Sequence, residues 1–181
     1  MVIGGKVPHD AYGVDTVELL SFNGTLPDKV KRPNKFPVKI QQALGATLGD
    51  AFVPHVCGGS QGGRDEQKCW AYDPKRDAWN ISGQMIHARS LNAGATHPDH
   101  GWVITGGYGG PDSAEQTKDG KTFQNFTSLP FDIKSHCMVS LGKGGGRGDF
   151  SITVDNYMLI HKAGTWKQMA NMPTARKRKS Y

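Results

Sequence analysis

Three stretches of this 181-residue chain carry residue types that could do chemistry. The glycine-rich run LGKGGGRGD (141–149) has the composition of a phosphate cradle. Such a loop needs its lysine after the glycines, then Ser or Thr, then a helix. Here Lys143 precedes the glycines and no helical pattern follows, so the run reads as a flexible hairpin turn. The segment THPDHG (96–101) sets His97 and His100 on either side of Pro98-Asp99. Paired imidazoles can hold a cation, but Pro-Asp is turn chemistry, and the segment is read as a turn between two strands with no metal. The third stretch, VCGGSQGGRDEQKCWAYDPKRDAW (56–79), crowds two cysteines, two glycine pairs and three aromatics together. It lacks a CxxC pair and a neighbouring histidine cluster, which argues against zinc. No HExxH pattern occurs anywhere. These residues predict no catalytic set and no cofactor, and the question becomes which elements hold them.

Composition points to short strands. Hydrophobic residues make up 36% of the chain and charged residues 21%, with 24 glycines and 10 prolines to punctuate them. No apolar run approaches the roughly 18 residues of a membrane-spanning helix. The start, MVIGGKVPHD, has neither the basic region nor the apolar region of a signal peptide. It reads as the end of a strand and a turn, as though the chain began mid-fold. The net charge of +6 gathers in residues 28–39 and 175–181. Neither cluster interleaves with aromatics or sits on a reading motif, so no nucleic-acid partner is expected.

Repetition organises the rest. MVIGG, FVPHVCGG and GWVITGG each end an apolar run on paired glycines, and Gly58 and Gly106 lie 48 residues apart. One period later FSITVDN keeps the apolar run without the glycines. Trp79, Phe123 and Trp166 follow one another at 44 and 43 residues. Met-x-x-Ala-Arg occurs at 85–89 and again at 172–176, two periods apart. A recurrence in the forties is the mark of a repeat architecture. Each period divides into four short strands. First strands are expected near 92–97 and 136–141; second strands at 52–57, 102–105 and 150–154. Third strands fall at 68–72, 113–117 and 157–160; fourth strands at 78–81, 122–126 and 165–168. The helix-compatible VKIQQALGATL (38–48) is read as the return to a first strand.

An apolar strand closed by Gly58-Gly59, then Tyr72 and Trp79, then Met85-x-x-Ala-Arg89, resembles the kelch repeat. That resemblance implies an all-β fold, a kelch-type β-propeller of four-stranded antiparallel blades. Blades are expected at 46–90, 91–135 and 136–176, after a divergent partial blade at 1–45. Residues 177–181 would start another. Because propellers close with four or more blades, this set is expected to be incomplete. The second repeat keeps Gly106-Gly107 but has Gln116 and Phe123 at the Tyr and Trp positions. The third keeps Trp166 and Arg176, lacks the glycines and has Leu159 for the tyrosine. All these residues are assigned to packing: glycines where strands crowd, aromatics between blades, arginines in a structural hydrogen bond.

Within that frame Cys57 closes a second strand and Cys69 opens the next, so either a disulfide or two buried thiols can result. Cys137 falls on a first strand with no evident mate. Asn-x-Ser/Thr sequons stand at Asn23, Asn80 and Asn125, the last two on outermost strands that could carry glycans. The cysteine pair and the sequons resemble secreted kelch proteins, so an extracellular location is expected, with the cytoplasm as the alternative. The loops between second and third strands offer Gln61, Arg64, Asp65, Glu66, Tyr108 and Asp112 as a recognition surface for an unidentified protein or glycan. A non-catalytic binding module is therefore expected. Two alternatives stay open: a propeller enzyme resembling galactose oxidase or a sugar mutarotase, and the substrate-recognition propeller of a ubiquitin ligase adaptor.

Overall fold

A computed structural model describes residues 1–6, 8, 12–18, 33–142 and 149–171. Strands β1 (Val2–Ile3) and β2 (Val17–Glu18) pair antiparallel at the start. The first four-stranded sheet joins β3 (Leu44–Leu48), β4 (Val53–Cys57), β7 (Lys68–Asp73) and β8 (Ala78–Gln84). A separate small hairpin, β5 (Ser60–Gln61) with β6 (Arg64–Asp65), stands on the β4–β7 connection. The second sheet is β9 (Ala93–His97), β10 (Gly101–Thr105), β11 (Ala114–Thr117) and β12 (Gln124–Phe126). The third is β13 (Cys137–Ser140), β14 (Phe150–Val154), β15 (Tyr157–Lys162) and β16 (Thr165–Gln168).

Every sheet is an antiparallel meander in chain order. Short loops dictate this, because each strand has time only to turn back on its predecessor. The chain is thus all-β with blade-like sheets that do not close on themselves. The stretch 38–48 forms no helix: Ile40 and Gln41 make isolated bridges and the strand proper begins at Leu44. The β5–β6 hairpin is an addition that the repeat pattern did not predict.

The cores lie between sheets. Val17, Phe36, Ile40, Val56 and Trp70 fill the gap ahead of the first sheet. Leu48, Cys57, Cys69, Met85, Trp102 and Ile104 fill the gap between the first and second. Val103, Leu129, Ile133, Met138, Phe150, Ile152 and Leu159 fill the gap between the second and third. Apolar residues thus appear on both faces of β10, as a sheet covered on both sides requires.

The paired glycines build one joint three times. Gly4, Gly58 and Gly106 give their N–H to Thr16, Lys68 and Ser113, continuing the ladder to the third strand. Gly5, Gly59 and Gly107 instead turn to the carbonyls of Ile40, Arg89 and Ile133, at 2.9, 2.8 and 2.8 Å, on the segment entering the next sheet. A Cβ on the first glycine of each pair would strike that same carbonyl, so this is a site of close backbone approach. Two residues beyond the carbonyl the backbone is left-handed, at Gln42, Leu91 and Ser135 (φ 59, 54 and 55°). Those three share no side-chain chemistry, and the recurrence is invisible in the sequence.

Candidate functional site

Two of the residues expected to form a recognition surface, Asp65 and Tyr108, meet at Ser90, which is buried. Its Oγ donates to Asp65 Oδ1 at 2.5 Å and its carbonyl accepts from Tyr108 N–H at 2.9 Å. The first sheet's loop and the second sheet's loop therefore meet at one residue. Gln61, Arg64 and Asp65 are exposed on the β5–β6 hairpin, and Asp112 is exposed on the next loop. Tyr108 is 47% exposed. Lys134 lies over its ring, 4.3 Å from the centroid, and donates to its hydroxyl at 3.0 Å. Sequence reasoning missed Lys134 and Ser90, because neither belongs to a strand-two loop.

Glu66 does different work. Its Oε1 accepts from Gln67 N–H and Lys68 N–H at 2.8 and 3.0 Å, an Asx-like cap on the entry to β7. Its side chain is only 13% exposed and Lys68 Nζ lies 3.8 Å from Oε2. Of the six residues named for recognition, Glu66 alone has its carboxylate committed to the loop's own backbone.

Arg89 is the node beneath this surface. Its guanidinium is fully buried, yet it belongs to the first repeat and reaches into the second. Nη1 donates to the Gly106 carbonyl at 2.8 Å, and Nη2 to Ser113 Oγ at 2.8 Å and Glu115 Oε1 at 2.6 Å. Glu115, also fully buried, accepts Ile86 N–H on its other oxygen at 2.7 Å. Burial pulls the arginine's pKa down and the Glu115 charge opposes it. No motif in the sequence marks Glu115 as the partner.

The aromatic landmarks take packing positions. Tyr72 donates to Asp77 Oδ1 at 2.6 Å, which raises its pKa to about 12. Its ring leans on Trp79, and Trp79 meets Phe36 edge-on. Phe123 packs on the core between the first and second sheets. Trp166 donates to the Thr127 carbonyl at 2.9 Å, tying the third sheet to the second. The larger buried aromatics are Trp70 and Trp102, which no repeat position had marked. Arg176 and Asn23 lie outside the described residues.

Cys57 and Cys69 face each other across β4–β7 and form a disulfide. Cys137 is exposed with a free thiol. Asn80 and Asn125 are exposed on the edge strands β8 and β12. Among the described residues no helix is long and apolar enough to cross a membrane.

The histidines of 96–101 lie side by side, with ring centroids 5.0 Å apart, but differ in their hydrogen-bond partners. His97 is buried, accepts Asp99 N–H on Nδ1 at 3.2 Å and turns Nε2 toward the Gly142 carbonyl at 3.4 Å. Both rings lean on Phe150 of the third sheet, and His100 Nε2 lies 3.5 Å from Asp149 Oδ2. The chain matches no known family model, and no curated protein matches it.

Proposed function

We propose that these sheets are blades of a kelch-type β-propeller acting as a non-catalytic interaction module for a protein or glycan. Support for the kelch assignment comes from the glycine joint, made three times with the same partners in the same order. One observation carries the binding reading: loops of two successive sheets converge on Ser90 through Asp65 and Tyr108, with Lys134 on the Tyr108 ring and Arg64 exposed next to Asp65 in the chain. Exposed arginine and tyrosine with interspersed charge suit a polar partner better than an apolar one. An oxidase resembling galactose oxidase would need a cysteine crosslinked to a tyrosine, and Cys57 is tied up in a disulfide. The disulfide and the two exposed sequons favour an extracellular setting.

The test compares the chain with an Arg64→Ala/Tyr108→Ala variant on a glycan array and in capture from conditioned medium. A ligand retained by the parent chain, and lost by a variant with an unchanged melting curve, supports the proposal. Ligands retained equally by both chains would remove this face from consideration.

A further inference from the structure

A second cluster lies away from that surface and is independent of it. His100 sits in the β9–β10 turn, Asp149 just before β14, and His161 near the end of β15. Asp149 Oδ2 is 2.9 Å from His161 Nδ1 and 3.5 Å from His100 Nε2. One donor atom from each residue falls within 4.8 Å of the other two. A divalent cation bound at about 2.0–2.2 Å in tetrahedral geometry holds neighbouring donors about 3.3 Å apart. The two contacts to the carboxylate, at 2.9 and 3.5 Å, bracket that spacing.

We propose that His100, Asp149 and His161 bind one borderline first-row divalent cation, Zn2+ foremost, which ties the second sheet to the third. The donor set of two imidazoles and one carboxylate selects such ions over Mg2+ or Ca2+, which prefer oxygen alone. Water would complete the coordination on the exposed side, since the side chains of His100 and Asp149 are 30% and 31% exposed.

An independent observation points the same way. His161 is 2% exposed, and its Nε2 is a buried atom with no hydrogen-bond partner. Phe126, Trp166 and Phe150 surround the ring, with centroids at 4.7, 5.1 and 6.2 Å. Without a cation, the contact with Asp149 requires the proton on Nδ1, leaving a bare lone pair at Nε2 in an aromatic enclosure. With a cation on Nδ1 the proton moves to Nε2, and an N–H among rings is the better placed group. Only the tautomer changes, and no net proton is released. Among the described residues no lysine or arginine pairs with Asp149. His97 stacks beside His100 at 5.0 Å but has both nitrogens occupied, so it supports the site without ligating.

The experiment uses the full chain stripped with chelator and dialysed. Zn2+ is titrated by calorimetry, and Co2+ is followed by its visible absorption bands. One saturable equivalent is expected, with Co2+ bands displaced by Zn2+ and a melting temperature that climbs with Zn2+ concentration. His100→Ala and Asp149→Asn, both at partly exposed positions, should each weaken binding at least tenfold while melting like the parent chain in chelator. His87→Ala should bind as the parent does. Absence of saturable binding would overturn the proposal, as would undiminished affinity in both the His100 and Asp149 variants.

Discussion

Replacing Glu115 with glutamine removes the charge partner of a guanidinium that water does not reach. Both side chains are completely buried and 2.6 Å apart. Removing one member of such a pair costs about 3–5 kcal/mol, because the survivor remains charged in a poor solvent. Two local features set where in that range the cost falls. Arg89 keeps Ser113 Oγ and the Gly106 carbonyl, at 2.8 Å each, which softens the loss. The carboxylate, however, serves two donors, Arg89 Nη2 and Ile86 N–H, and a glutamine offers one acceptor oxygen. A stranded buried donor adds about 1–3 kcal/mol. The expected loss is about 4 kcal/mol, or roughly 8–16 °C in Tm for a chain of this size. Urea unfolding followed by circular dichroism, with parent and variant at one pH, measures it. Arg89→Met should cost a similar amount. The Arg89→Met/Glu115→Gln double variant should cost at least about 2 kcal/mol less than the two singles summed, since no lone charge remains. A Glu115→Gln loss below about 1 kcal/mol, or simple additivity in the cycle, would refute the pair as the tie between the first and second sheets.

Three further outcomes follow from the same geometry. Gly106→Ala should cost upwards of about 3 kcal/mol, because a left-handed alanine there also meets the Ile133 carbonyl. Gly62→Ala, with similar φ but open space, should cost only the left-handed penalty of about 1–2 kcal/mol, and paired urea curves compare them. Breaking the Cys57–Cys69 disulfide by a double Cys→Ala change should destabilise by about 3 kcal/mol, the loop-closure value for twelve residues of separation; unchanged stability would count against that account. His136, whose pKa burial and then the Arg89 charge lower to about 4, makes folding acid-sensitive. The unfolded histidine takes its proton near pH 6.5 while the folded one resists until about 4. Stability is therefore full above 6.5 and falls by up to about 3 kcal/mol on the way down to 4. His136→Gln should flatten that part of a stability–pH curve.

The repeat was legible in sequence because its markers act locally. Paired glycines, an apolar run and turn residues such as Asp73-Pro74 each limit the backbone within a few residues, and strand order follows from loop length. That is why the strands expected at 52–57, 102–105 and 150–154 coincide closely with β4, β10 and β14. That Gln61, Arg64, Asp65, Tyr108 and Asp112 fall between second and third strands was legible for the same reason, but the β5–β6 hairpin that holds the first three was not. Glu66 was placed in the right loop, but its capping bonds depend on the turn's particular shape.

By itself the sequence determined the strand rhythm, the glycine joints and the alignment of Cys57 with Cys69, all consequences of short-range sterics and pairing. Tertiary structure alone decided the rest, since it hangs on which surfaces of neighbouring sheets touch. It chose Glu115 for Arg89, set Lys134 on Tyr108, and brought His100, but not its neighbour His97, into reach of Asp149 and His161 as a donor. Those partners come together only when one sheet packs on the next, and a linear pattern carries no trace of that contact.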